Sequence, residues 1–407
     1  MNPYTNKEHE ELRLRVREFA ETEVKVLAAD LDEKEEFSSN LTQRMGELGL
    51  FGIYLPQEYG GQGKDYLSLL IAVEEMARVD ASQASTLAAH NSLGIGPIYY
   101  FGTEDQKLKY LPQLCTGKNV WAFGLTEENA GSDSRGTQTK AKLINENWLI
   151  NGSKKFISNG SSESSLGVTL QVITADEDGK KELSVILVDR NTAGFKAHPM
   201  KGKMMWRASD TANLAFDNCQ VPKANLLGKL GQGAKIMLKT LDSGRLTIAA
   251  MALGLAQGAY EEALKYAQKR KQFGKPIVKF QAIAFKLADM ATKIEAARCL
   301  LYQACWLKDN GHEFGKQSAM AKLYCSEIAR EVANEAVQIH GAHGLLKSSD
   351  VERFYRDQRI LEIGEGTSEI LRLVISRHIT SKKDKGIKGK VEDDKVSRNF
   401  GIAYCDN

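Results

Sequence analysis

Residues 362–370 read "EIGEGTSEI" and place three carboxylates, Glu362, Glu365 and Glu369, within one short stretch. Only Glu365 is bracketed by glycines, Gly364 and Gly366. Glycine adopts backbone angles closed to other residues and lets the chain approach a ligand closely. A carboxylate on such a segment is either a reacting group on bare backbone or an ordinary acid in front of a helix, favoured there by the helix dipole. The local pattern leaves both readings open.

Other chemistries find little support. "GGQGK" at 60–64 is followed by Asp65, so the Ser or Thr of a P-loop is missing. No GxGxxG opens a βαβ unit, and no nucleophile elbow supports Ser-His-Asp chemistry. The cysteines at 115, 219, 299, 305, 325 and 405 form no CxxC pair and read as reduced thiols of a cytosolic protein. His340 and His343 in "QIHGAHG" sit at a helix end, and no metal site is expected. A formal net charge of +3 argues against nucleic acid or an anionic membrane as partner. The N-terminus is charged from Lys7 onward, and no apolar run reaches the length of a membrane span, so a cytoplasmic enzyme is expected.

The elements that must position Glu365 follow from hydrophobic periodicity. Residues 1–120 read as helical: Leu12, Val16, Phe19 and Val26 line one face, and "LSLLIAVEEMARVDASQASTLAAH" reads as one long, mostly buried helix. Over 121–229 the period changes to two. Leu166, Val168, Leu170 and Val172 alternate as in a half-buried strand, and Asn151-Gly152 reads as a hairpin turn in a compact antiparallel β-barrel-like domain. Over 230–380 the chain is helical again, with Ile283, Leu287, Met290, Ile294, Ala297 and Leu301 forming a narrow seam for bundle packing. Residues 381–407 read as a polar tail. The fold class is α+β, unlike a Rossmann fold or a TIM barrel.

Four stretches in this order, "FGLTEENAGSD", "KFISNG", "LDSGR" with "KRKQFGKPI", and "YRDQRILEIGEGTSEI", closely resemble the acyl-CoA dehydrogenase family over roughly residues 7–380. The resemblance implies an N-terminal helical domain, a middle β domain and a C-terminal four-helix bundle, with FAD between the last two. It implies α,β-dehydrogenation of an acyl-CoA thioester to the trans-2-enoyl-CoA, with Glu365 as the α-proton base and its amide N–H polarising the thioester carbonyl. Gly366 gives backbone access to the thioester, and Asp242 and Arg245 contact substrate. Some relatives carry the base just before that arginine; here the position is Gly244. Phe123, Leu125, Thr126 and Ser132 would meet the flavin or CoA, with Phe156, Ile157 and Ser158 flanking the ring. Arg270, Phe273, Gln281, Gln338, Gly341 and Ala342 would reach the FAD of a neighbouring subunit, and Thr367 and Glu369 open the last helix beside it. A homotetramer passing electrons to an electron-transfer flavoprotein is the expectation. Acyl-CoA oxidases and other flavoenzymes share the fold, and a non-catalytic flavin-binding scaffold is the contrasting reading. Three departures stand out: Phe156 and Ser158 replace a frequent Trp and Thr, Glu128-Asn129 replaces Pro-Gly, and Gly364 replaces a tyrosine of many straight-chain members. The last is expected to widen the pocket toward branched, cyclic or bulky acyl groups.

Overall fold

The structure is a computed structural model that describes residues 3–178 and 180–380; the polar tail expected over 381–407 lies outside them. The N-terminal helices are α1 (Lys7–Phe19), α2 (Lys25–Lys34), α3 (Ser39–Glu47), α4 (Tyr66–Ala77), α5 (Ala81–Ala89), α6 (Gly96–Phe101) and α7 (Glu104–Leu114). Seven strands follow: β1 (Val120–Gly124), β2 (Lys140–Ile144), β3 (Asn147–Ser158), β4 (Ser165–Glu177), β5 (Lys180–Asp189), β6 (Phe195–Pro199) and β7 (Thr211–Pro222). The remainder is α8 (Gly233–Lys269), a small hairpin of β8 (Lys271–Gln272) and β9 (Lys275–Pro276), then α9 (Gln281–Asp309), α10 (Gly315–His340), α11 (Asp350–Asp357) and α12 (Ser368–Thr380). Helix α10 packs on α8, α9 and α12, which makes the bundle. The class is α+β, and we propose domain boundaries near residues 120 and 229, where the chain enters and leaves the sheet.

Several local expectations are corrected. The sheet runs β1-β4-β2-β3-β7-β6 with β5 on β4, and it is not wholly antiparallel, because β1 and β2 pair with β4 in parallel. Asn151-Gly152 is not a turn: β3 passes straight through it with a register shift, and Gly152 is needed because a Cβ there would lie 2.6 Å from Thr139 Oγ1. The hairpin turns instead at Asn145 and Glu146, both with positive φ. Strand β4 is buried on both faces, since Thr169 and Gln171 are as enclosed as Val168 and Leu170. The long helix expected from residue 67 breaks into α4 and α5, where Asp80 caps the second by accepting the Gln83 N–H. Val26 is 70% exposed although Leu12, Val16 and Phe19 are buried. A π-helical turn over Ala20–Val24 advances the chain by a residue and rotates the apolar face onto Val24.

One apolar core runs continuously through α1, α4, α5 and α8–α11, while a second fills the sheet. Helix α8 can cross α4 closely because Gly254 and Gly258 lie where a Cβ would meet the Glu74 and Arg78 carbonyls at 2.1 and 2.0 Å. The loop before β7 fastens the sheet to both helical layers. The Trp206 N–H donates to Asp357 Oδ1 at 2.7 Å, and Arg207 pairs with Glu35 at 3.1 Å. Asp357 directly precedes the segment that carries Glu365, so the fastening fixes where that segment begins.

Candidate active site

A 3₁₀ turn over Gln358–Glu362 delivers the chain to Glu365 and ends where the Ile363 and Gly364 N–H groups donate to the Ile360 carbonyl at 2.8 Å. Glu365 then takes φ +53°, a left-handed conformation costly for a residue with a Cβ, and Gly366 takes φ +104°. Strain of this kind persists only where the surroundings impose it. Lys322 of α10 supplies one such constraint, its ammonium donating to the Gly366 carbonyl at 2.7 Å.

Glu365 as a residue is only half-buried, but its Oε2 is sealed from solvent and has no hydrogen-bond partner. Burial pushes its pKa up to about 7, against the pull of the Lys322 and Arg245 cations. Across from it on α8 stands Gly244, where a Cβ would lie 2.0 Å from Glu365 Oε2 and 3.0 Å from Leu93 Cδ2. The absent side chain at 244 is therefore what makes room for the carboxylate. Leu93 brings "HNSLGIGPI" to the same space, where the pocket floor is expected. Arg245 is buried and donates to Asp242 Oδ1 at 2.7 Å, and Asp242 is raised by burial against the Arg245 charge. Tyr66 of α4 donates to the Ser243 carbonyl at 3.1 Å and closes that side. Together these residues hold a carboxylate whose pKa burial brings close to neutrality, which suits a general base.

A second set gathers at one end of the sheet. The Lys155 N–H donates to the Thr126 carbonyl at 2.9 Å and ties the loop after β1 to the end of β3. Below that loop lies a buried pair that sequence reasoning passed over: Lys154 Nζ sits 2.7 Å from Glu127 Oε1. Burial lowers Lys154 to about 8 despite Glu127. Glu127 stays below its ordinary value, because Lys154, Thr139 and Gln138 outweigh its burial. The extra carboxylate, Glu128, points instead to the surface and pairs with Lys155. Phe156, at φ +60°, is 59% exposed, whereas the Ile157 side chain turns inward to the sheet core. Ser158 is half-buried, Phe123 and Leu125 pack into the apolar cluster shared by β1, β5, α7 and α8, and Ser132 is exposed.

The third set lies apart on the exposed surface: Arg270, Phe273, Gln281, Gln338, Gly341 and Ala342, around the β8–β9 hairpin and the end of α10. Phe273 is 93% exposed. The single chain leaves this set open to solvent. Thr367 and Glu369 stand at the start of α12, where the Thr367 hydroxyl accepts the Ile370 N–H at 3.3 Å.

Comparison with known proteins agrees with this layout. The family models "Acyl-CoA dehydrogenase, N-terminal domain", "middle domain" and "C-terminal domain" match residues 6–118, 122–219 and 231–380. The chain is 47% identical to the probable acyl-CoA dehydrogenase YngJ of Bacillus subtilis, over 93% of this chain and 100% of that one. The chain belongs to the acyl-CoA dehydrogenase family. Butyryl-CoA dehydrogenase of Megasphaera elsdenii superposes with a TM-score of 0.89 at 39% identity, covering 92% of this chain and 98% of that one. A chain from the structure titled for the electron transferring flavoprotein of Acidaminococcus fermentans superposes with a TM-score of 0.91 at 42% identity, covering 94% and 100%.

This family member is an oxidoreductase, and its cofactor is FAD. The residues present fit such a group. Both amide atoms of Asn159, next to Ser158, are buried without a partner, as is Ser368 Oγ at the start of α12. Exposed Phe156 and Phe273 offer flat apolar surface of the kind a ring system covers. Two residues beside Glu365 carried signals that sequence reasoning did not use. Lys322 stands on the apolar face of α10 with Ala319 and Cys325, and Tyr66 opens the buried run of α4.

Proposed function

We propose that this chain dehydrogenates an acyl-CoA thioester between its α and β carbons to the trans-2-enoyl-CoA, with Glu365 as the base. One observation carries the assignment: a sealed, unpaired carboxylate oxygen with its pKa at about 7, facing a glycine whose missing side chain leaves room for it. The carboxylate takes the α proton and becomes a buried acid. The Glu365 N–H, which enters no hydrogen bond among the described residues, donates to the thioester carbonyl and acidifies the α carbon. Arg245 and Asp242 hold the thioester end, and Leu93 and Tyr66 bound the acyl pocket. FAD, when bound, would supply the acceptor for the β hydrogen as hydride, and Phe123, Leu125, Thr126, Ser132, Phe156, Ile157 and Ser158 would hold it from the sheet side. Thr367 and Glu369 hold it at α12. Arg270, Phe273, Gln281, Gln338, Gly341 and Ala342 serve the FAD of a second subunit in a homotetramer, which the exposure of Phe273 supports. The likeness to a chain from an electron transferring flavoprotein structure supports such a flavoprotein as electron acceptor. Among the described residues no helix is long and apolar enough to cross a membrane, and we propose a cytoplasmic enzyme.

The likeness to a butyryl-CoA dehydrogenase supports a short acyl chain. A Cβ at Gly364 would make only ordinary contact, 3.6 Å from the Ile360 carbonyl, so the bulk a tyrosine would supply there is missing. Anaerobic titration of the yellow holoenzyme is expected to bleach the flavin band with butyryl-CoA and isobutyryl-CoA, and slowly with octanoyl-CoA. No bleaching by any acyl-CoA would overturn the reaction. A Gly364→Tyr variant should lose isobutyryl-CoA selectively; equal loss on both short substrates counts against the pocket.

The glycine opposite the base has its own test. A methyl group at 244 would displace Glu365 Oε2 by about 1 Å, and a shift of that size costs on the order of 100-fold in rate. Gly244→Ala should therefore keep FAD and lose about 100-fold in kcat. Unchanged kcat would show that the carboxylate works from elsewhere.

A further inference from the structure

Lys322 is one of the largest fully enclosed side chains in the molecule. Among the described residues it forms no ion pair, and its ammonium donates to the Gly366 carbonyl at 2.7 Å. An enclosed cation without a paired anion is expensive, and burial holds its pKa down at about 8. What faces it is the reactive segment: Glu365, Glu362 and Glu369 attract it, while Arg245 of α8 opposes it. Glu362 is already held by Arg330 and Arg359, at 3.4 and 3.3 Å. Glu369 is exposed at the start of α12. On the remaining sides of Glu365 stand Tyr66 of α4 and the Asp242–Arg245 pair of α8. Among the described residues Lys322 is thus the cation that acts most on the Glu365 carboxylate, and it holds the carbonyl of the next residue, Gly366. Its own turn of α10 is pinned as well, because Ser318 donates to the Asp242 carbonyl at 2.6 Å and Ser326 to the Lys322 carbonyl at 2.6 Å.

We propose that Lys322 is a positioning residue for the reaction: its bond to the Gly366 carbonyl fixes the strained backbone on which Glu365 stands, and its charge favours the ionised carboxylate. The first role sets where the base points, and the second sets how much of it is ready at neutral pH. The proposal rests on Glu365 as the base.

The test uses the FAD-loaded holoenzyme. Lys322→Gln keeps a donor for Gly366 without the charge, and Lys322→Met removes both. Loss of a nearby cation raises a carboxylate pKa by about one unit. The rising limb of kcat/KM against pH should then move up by about one pH unit in both variants, a loss of about fivefold at neutral pH. At about pH 9 the Gln variant should return to within about twofold of the parent, whereas the Met variant stays lower. A readout without turnover is the infrared carboxylic-acid band that Glu365→Gln lacks; in Lys322→Gln it should persist to higher pH. A limb and a band that stay in place overturn the proposal. If Glu365→Gln itself turns over normally, the base assignment fails instead. Should both Lys322 variants fail to fold, the coupling is read from the other side. In Glu365→Gln, Lys322 loses its anion, so by NMR of isotope-labelled lysines its ammonium should titrate below about 8. An unmoved titration overturns the proposal equally.

Discussion

Glu365→Gln is expected to lower turnover by about 10⁴-fold, the upper range for loss of a positioned general base. The substitution keeps shape and volume, so FAD and acyl-CoA should still bind and the flavin should stay oxidised. Retention of more than about a hundredth of the parent rate would remove Glu365 from the mechanism. The pH profile gives a second reading. Glu365 must be ionised to take a proton, and burial holds its pKa near 7, so activity should climb through about pH 7 and level off above it. Stability should move in the opposite sense. The folded pKa lies above the ordinary value of 4.5, so the folded state binds the proton more tightly. The native state therefore loses stability as pH rises from about 4.5 to about 7. Glu365→Gln lacks this loss and should melt at a higher temperature than the parent at pH 8. A variant that melts lower there would mean the carboxylate is stabilised in the fold rather than held at a cost.

The second large effect is on stability. Glu127→Gln should destabilise the protein by about 3 kcal/mol, the lower range for breaking a buried ion pair from one side. Glu127 Oε1 accepts from Lys154 Nζ at 2.7 Å and Thr139 Oγ1 at 2.8 Å, and Oε2 accepts the Gln138 N–H at 2.7 Å. Glutamine turns an NH₂ donor toward one of these donors and leaves the Lys154 charge enclosed. Lys154 also donates to the Leu125 carbonyl at 3.1 Å, so the loop after β1 should loosen with it. Urea denaturation of Glu127→Gln, Lys154→Met and the double variant separates the contributions. The double variant should recover part of the loss, because no unpaired charge remains. The deficit of Glu127→Gln should shrink as pH rises to about 8, because Lys154 without its carboxylate sheds its proton below the value of about 8 that it holds in the pair. A single variant within about 1 kcal/mol of the parent would show the pair to be dispensable.

Much of the site was legible because it is local. "IGEGT" already held the carboxylate and the glycines that free its backbone, and "LDSGR" already showed a glycine where a competing base would stand. The seam of α9 was legible too: Leu287, Met290, Ile294, Ala297 and Leu301 are buried as their spacing requires, and Ile283 at its start is half-buried. Misreadings arose where a distant partner overrides a local signal. Asn151-Gly152 has turn chemistry, yet β7 on one side and Thr139 on the other draw it into a bulged strand. Glu128 attracted attention as the unusual residue of its loop, whereas the buried carboxylate is its neighbour Glu127, because only Glu127 reaches Lys154.

By itself, the sequence determined the order of helices, sheet and helices, the family and the candidate base, since periodicity and short motifs are written in neighbouring residues. Tertiary structure alone decided that Gly244 faces Glu365, that Lys322 holds the Gly366 carbonyl, and that burial brings the carboxylate to about 7. Those facts depend on desolvation and on contacts between segments 44 to 121 residues apart, and no local pattern encodes either.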